Sequence, residues 1–390
     1  MQKITADLII TNTGDPLQNH TIILDGEKIV DIVPISEAGE VAHHQGVITP
    51  GFINSHCHLE LSHLKGQIDT GTGLIPFIKG VVTLREFPQE EILAAIYAAD
   101  QEMYDAGIVA VGDICNKPDT KERKEKSKIR YYSFVEMFDF LQDQNAQQVY
   151  EGYHDVYGQQ SDQGGNKKSC VPHAPYSVSP HLFSLINVAN KGKGTVSIHN
   201  QELAAENEFF MSKTGGFVDF YRDFGIPIDG FSPTGTRSID YAMQYMDPSC
   251  RTLFVHNTQT DRDDVARAND WSNNIYWATC PNANLYIENR LPDYQVFIDT
   301  DAKVCIGTDS LSSNWKLSIL SEMMTIKKYQ SGISDTEIIK WATLHGAEAL
   351  GYDDLGLLER GLAPGINLID VAVDGHRFDL SQARGVRRLA

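Results

Sequence analysis

Thr49-Pro50-Gly51-Phe52-Ile53-Asn54-Ser55-His56-Cys57-His58-Leu59-Glu60 is the stretch on which the fold turns. A Pro-Gly pair marks a turn, and Phe-Ile behind it opens a short buried strand. In extended backbone His56 and His58 share one face while Cys57 points to the other. Two imidazoles on one face of a strand end are half of a metal site, provided the rest of the chain supplies the other half.

Downstream, short apolar runs alternate with longer helix-like segments. The runs are 52–58, 108–114, 129–135, 169–173, 195–199, 252–256, 275–280 and 303–309. Amphipathic stretches such as 90–105, 180–189 and 319–330 lie between them. Eight such strands alternating with helices predict an α/β fold, a (β/α)8 barrel of parallel strands. The Gln-, Asp- and Gly-rich segment 142–165 reads as a polar excursion or loop between the third and fourth strands.

Upstream, 7–11, 21–25 and 28–33 are β-branched runs punctuated by Gly14-Asp15-Pro16 and Gly26-Glu27, the texture of a small β module. After a helical segment, 335–350, β-like texture returns at 357–361 and 364–373. The expected organisation is a composite β-sandwich domain from residues 1–49 and 357–390, with a catalytic barrel, 50–356, inserted into it.

Composition restricts the partners. The chain has 390 residues and a net charge of −19, which lacks the clustered cations that nucleic acid or an anionic membrane would need. No stretch approaches the roughly 18 apolar residues of a membrane span, and the N-terminus lacks a signal-peptide pattern. The six cysteines contain no C-x-x-C pair and read as buried free thiols. A cytoplasmic enzyme acting on a small molecule is expected.

The strand ends carry the chemistry. His56 and His58 end the first strand, His173 the fourth, His199 the fifth, His256 the sixth and Asp309 the eighth. Barrel active sites gather at the C-terminal ends of the strands, so these side chains converge on one mouth. His56, His58 and His199 then supply nitrogen ligands and Asp309 an oxygen at or beside one divalent metal, zinc first and iron(II) second. Glu202, three residues past His199, is the candidate proton carrier, and His256 touches the metal's water or a substrate oxygen. His173 and Glu60 are substrate-contact candidates, Glu60 also fitting a structural cap. Glu206 and Glu208 fit helix-dipole complementation. His20, His43, His44, His154, His181 and His376 read as surface residues. Arg85 could meet a substrate carboxylate, although a lone Arg in a helix-like segment is more often a surface residue.

Taken together, Pro50–His58, Pro172-His173-Ala174-Pro175-Tyr176-Ser177, His199-Asn200-Gln201-Glu202, Val255-His256-Asn257, Cys280-Pro281-Asn282-Ala283-Asn284 and Gly307–Asn314 make the chain similar to the amidohydrolase superfamily. It most resembles the aminohydrolase branch that holds guanine deaminase, S-adenosylhomocysteine deaminase and triazine chlorohydrolase. The resemblance covers essentially the whole chain. It implies a distorted barrel with a β-sandwich from both termini, and deamination of an amino-substituted purine nucleoside or related heterocycle. In that reading hydroxide generated at the metal attacks the amino-bearing ring carbon and ammonia leaves. Asp309 takes the water's proton, Glu202 protonates the ring nitrogen, and His256 stabilises the tetrahedral intermediate. Two-metal relatives often carry a carboxylated lysine at the fourth strand end. Val171-Pro172-His173 stands there instead, so one metal is expected.

His58-Leu59-Glu60-Leu61-Ser62 looks most like aminofutalosine deaminases of menaquinone biosynthesis, whose substrate is an adenine nucleoside carrying a benzoate group. Glu60 and His173 would then contact the nucleoside. The family also suggests a homodimer. The alternatives on the same scaffold are a chlorohydrolase, a cyclic amide hydrolase, or a catalytically inactive binding protein.

Overall fold

The computed structural model describes all residues, 1–390. It begins with strands β1 (Gln2–Ile9), β2 (His20–Asp25), β3 (Lys28–Pro34) and β4 (His43–Pro50). The β-branched runs anticipate the first three. β4 was not anticipated, because its first half, His43-His44-Gln45-Gly46, is polar. It forms through pairing, parallel to β1 and antiparallel to a strand from the far end of the chain.

That partner is β13 (Ile366–Asp370). Between β4 and it run eight further strands: β5 (Phe52–Cys57), β6 (Ile108–Cys115), β7 (Arg130–Met137), β8 (Lys167–Pro172), β9 (Thr195–Asn200), β10 (Arg251–His256), β11 (Ile275–Thr279) and β12 (Val304–Ile306). The chain ends with β13 (Ile366–Asp370) and β14 (Gly385–Arg388). One six-stranded sheet, in the order β14-β13-β4-β1-β2-β3, therefore joins the two ends of the chain. Ile4, Ile22, Leu24, Ile48 and Leu368 are part of its separate small core.

The eight middle strands form two parallel four-stranded sheets, β5-β6-β7-β8 and β9-β10-β11-β12. Most of these strands are buried on both faces, which is why they read as continuous apolar runs without alternation. The sheets meet at two seams. At one, the His199 amide donates to the His173 carbonyl, 2.9 Å. At the other, the Thr308 and Asp309 amides both donate to the His56 carbonyl at 3.0 Å. Gly307 permits this second approach: a Cβ there would lie 2.8 Å from the Cβ and carbonyl oxygen of His56. A core of 80 buried residues fills the barrel and the layer beneath its helices.

One expectation is corrected. Residues 142–165 are not a loop throughout, since Ala146–Gln159 is an α-helix. Its polar residues hide a helical stripe of Val149, Tyr150, Tyr153, Val156 and Tyr157, all packed on the core. The six cysteines are free and buried. No helix is long and apolar enough to cross a membrane.

Candidate active site

The four potential ligands come from the strands that border the seams. His56 is the penultimate residue of β5, its side chain fully buried, and His58 follows on the same face, with Cys57 buried on the other. Their Nε2 atoms stand 3.2 Å apart, and His58 Nε2 stands 3.3 Å from His199 Nε2. Two nitrogens bound to one tetrahedral ion at about 2.0–2.1 Å stand about 3.3 Å apart, so the spacing fits a shared ion. Asp309 brings Oδ1 to 3.4 Å from His58 Nε2 and 3.7 Å from His56 Nε2. Its Oδ2 accepts a 2.6 Å hydrogen bond from Ser313 Oγ, which fixes the carboxylate and leaves Oδ1 facing the histidines.

Burial sets the charge state of this cluster. His56 and His199 are held well below the ordinary imidazole range, first by burial and then by neighbouring imidazoles. Neutral imidazoles are what a metal requires. His199 donates from Nδ1 to the His173 carbonyl at 2.8 Å, turning Nε2 toward the other ligands. The donor set and its spacing therefore suit one divalent cation.

Glu202 and His256 face each other next to this cluster, with Glu202 Oε2 3.8 Å from His256 Nε2. Burial, then Asp309 and Glu206, push the Glu202 carboxyl well above its ordinary value, which favours its protonated form. Its backbone is anchored. The amides of Gln201 and Glu202 donate to the two oxygens of Glu206 at 3.0 and 3.2 Å, and Thr258 Oγ1 donates to the Glu202 carbonyl at 2.6 Å. Glu206 is thus more than a helix-dipole partner: it is buried and holds the turn that carries Glu202. His256 has φ 75°, and Gln201, Asn257 and Asp309 also lie in the left-handed region. Each such non-glycine residue costs about 1–3 kcal/mol, and strain of this kind concentrates at functional sites. His256 Nδ1 donates to Asn284 Oδ1 at 3.3 Å, which turns Nε2 toward Glu202.

A cavity of about 350 Å³ opens over these groups. His58, His173, His199, Glu202, His256 and Asp309 all line it, while the remaining wall is largely apolar, including Phe77, Phe138 and Phe220. His173 is held by Ser177 Oγ, 2.7 Å from its Nδ1, and burial lowers its pKa to about 3.

Of its two expected roles, Glu60 takes the structural cap. It does not line the cavity; it sits behind the wall, its Oε2 accepting from the amides of Asn116 at 2.9 Å and Lys117 at 3.1 Å. Arg85, by contrast, does line it. Glu136, at the end of β7, was not foreseen. It lines the cavity 3.4 Å from His199 Nδ1, and burial pushes its carboxyl up to about 8. A carboxylate closing an apolar strand was the available signal. The residues expected at the surface hold to that: His43, His154, His181 and His376 are exposed, and His20 and His44 half-buried.

Comparison with known proteins finds relatives along most of the chain. The model of the amidohydrolase family matches residues 47–388. The chain is 26% identical to an adenosine deaminase of Helicobacter pylori, across 87% of this chain and 84% of that one. It is 25% identical to an aminodeoxyfutalosine deaminase of Nitratiruptor sp., across 83% of this chain and 79% of that one. Among solved structures, the Helicobacter pylori aminofutalosine deaminase in complex with methylthio-coformycin superposes with a TM-score of 0.79 at 22% identity, over 98% of this chain and 100% of that one. A zinc-bound adenosine deaminase from Xanthomonas campestris gives 0.74 at 19% identity, over 99% and 93%. The distorted (β/α)8 barrel is thus the shared fold.

Proposed function

Because the chain belongs to the amidohydrolase family, we propose that it is a metal-dependent hydrolase that deaminates an adenine nucleoside or a close relative, and that His56, His58, His199 and Asp309 hold its single divalent ion, zinc before iron(II). The observation that carries this reading is the pairing of that ligand cluster with the buried Glu202 and His256 across one cavity. When bound, the ion would polarise a water and bring its pKa near neutrality.

The side chains account for the protons. Asp309, with Oδ2 tied to Ser313, presents Oδ1 on the side of the ligand histidines, where it would accept a proton from the attacking water. Glu202 donates its proton to the ring nitrogen beside the amino-bearing carbon. His256 presents Nε2, accepts the proton of the new hydroxyl and, as a cation, stabilises the oxygen added at that carbon. Asp309 returns its proton to the departing amino group, which leaves as ammonia, and His256 passes its own back to Glu202 across the 3.8 Å gap. The ring thus gains one oxygen and one N–H, and water and the amino group account for every atom. His173, between Pro172 and Pro175 in the cavity wall, is assigned to contact the nucleoside.

Named relatives act on adenosine and aminodeoxyfutalosine, so substrates of that class come first. The test is ammonia release by the zinc- or iron-loaded protein on adenosine, 5′-deoxyadenosine, methylthioadenosine, aminodeoxyfutalosine, guanine and a chlorotriazine. Release from adenine nucleosides is expected. Chloride release alone, or no product from any of them, would overturn the reading.

A further inference from the structure

In the deamination proposed above a proton passes from His256 back to Glu202, yet the two side chains do not touch. Glu202 Oε2 and His256 Nε2 stand 3.8 Å apart, longer than a hydrogen bond. Their relative position is therefore set by other groups. His256 ends β10, and Glu202 follows the neighbouring β9 by two residues. The segments that leave these two strands are clasped together. The Asn257 amide donates to the Asn200 carbonyl at 3.1 Å, the Gln259 amide to the Gln201 carbonyl at 3.0 Å, and Asn200 Nδ2 to Asn257 Oδ1 at 3.0 Å.

Gln201 adds a side chain to this clasp. It is fully buried and lies outside the reaction cavity. Its Oε1 accepts from Thr260 Oγ1 at 2.6 Å, while Nε2 donates to Asp264 Oδ2 at 3.2 Å and to Asn207 Oδ1 at 3.4 Å. Its backbone has φ 47°, a left-handed conformation that Gly or Asn adopts at less cost. A Gly here would have no amide to offer, and an Asn would bring its amide one methylene short. Asp264 is a fixed anchor. It is fully buried in the first turn of the helix Arg262–Trp271, where Asp261 and Asp264 each accept the other's amide. Arg237 Nη2 at 3.0 Å and Arg267 Nη2 at 2.5 Å balance its charge. With the carboxylate held by two guanidiniums and a backbone amide, Gln201 is the partner whose position is decided.

We propose that Gln201 is a positioning residue that sets Glu202 against His256. Its amide, locked to Thr260 and Asp264, fixes the turn from which Glu202 projects. This rests on the role of Glu202 as the acid in the deamination proposed above. Glu206 pins the same turn from within its own segment, through the amides of Gln201 and Glu202. Gln201 ties that turn to the segment that bears His256, and so controls the gap the proton crosses.

The test is a double-mutant cycle in the metal-loaded protein, read as kcat and KM for ammonia release from the adenine nucleoside it deaminates fastest. The variants are Gln201→Leu, Thr260→Val and Glu202→Gln, with each of the first two also combined with the third. Gln201→Leu should lower kcat by about tenfold and Thr260→Val by about threefold, through lost buried hydrogen bonds and a misplaced acid. KM should stay within about twofold and metal content at the parent level. In the Glu202→Gln background the same substitutions should cost less than about twofold, because the group they position is gone. Equal losses in the two backgrounds mean a merely structural role and overturn the proposal. So does a loss carried by KM or by metal content, or an unchanged kcat in both single variants. Should Gln201→Leu fail to fold, Thr260→Val, which keeps the shape of threonine, decides alone. If Glu202→Gln is impaired and neither Gln201→Leu nor Thr260→Val is, only this inference fails. If Glu202→Gln turns over at the parent rate, or no nucleoside is deaminated, the reading of the reaction fails and this inference with it.

Discussion

The two ends of the cavity are built on different principles. The inner end consists of strand-end side chains with assigned partners: His199 donates to the His173 carbonyl, Asp309 accepts from Ser313, and His256 donates to Asn284. The outer end consists of a helix face and loops, with aromatic walls and an Arg85 whose sole carboxylate contact is long. The inner end is preorganised for a reaction, in the sense that its groups are held and their protonation set before substrate arrives. The outer end is left to be completed by the substrate. Chemistry and selection are thereby separable, and substitutions should separate them.

The sharpest break is expected from Glu202→Gln. It keeps the shape and removes the acid, so turnover should fall by about 10³- to 10⁴-fold, the scale of a general acid. Metal content, read by elemental analysis, should stay at the parent level. Unchanged activity would remove Glu202 from its role. Gly307→Ala attacks the scaffold of the same end. A methyl group would meet His56 at 2.8 Å and press the second seam apart, with a loss of about 1–3 kcal/mol in urea unfolding. At the outer end, Phe138→Ala should raise KM by about tenfold through lost apolar contact and leave kcat within about twofold. A kcat loss as large as that of Glu202→Gln would dissolve the distinction between the ends.

The brace beneath the inner end offers a smaller, pH-dependent effect. Glu322 is fully buried and accepts from the Asn282 amide, Asn282 Nδ2 and Asn314 Nδ2, and Asn314 in turn donates to the Thr308 carbonyl. These donors favour the ionised form, but burial outweighs them and raises the Glu322 carboxyl to about 8. Between its ordinary 4.5 and about 8, the folded protein binds a proton that the unfolded chain has released. Stability should therefore fall as pH rises through that window, by up to about 1.4 kcal/mol per unit. Urea unfolding at pH 5, 6.5 and 8 checks this, and Glu322→Gln should flatten the profile.

The same division governs what could be read in advance. The barrel is legible because parallel strands buried on both faces leave apolar runs, and its inner end is legible because the first, fifth and eighth runs close on a ligand. β4 was not, since Gly46 and its polar neighbours become a strand only by pairing with β1 and β13. The helix Ala146–Gln159 was masked by its glutamines. Glu60 and Arg85 each have two placements on the sequence alone: Glu60 takes the cap, its carboxylate on the Asn116 and Lys117 amides, and Arg85 lines the cavity instead of the surface. A one-residue offset on a short 3₁₀ turn, or a helix cap, decides such placements, and no periodicity in the sequence reports it.

The central claim is that one ion, held by His56, His58, His199 and Asp309, serves deamination. Its most direct test is to strip the protein with chelator and titrate zinc or iron(II) back while following ammonia release from adenosine or aminodeoxyfutalosine. Activity should be absent at the start and rise linearly to a plateau at one ion per chain, with no recovery in a His58→Ala His199→Ala double variant. A plateau at two ions, or full activity in the stripped protein, would contradict it.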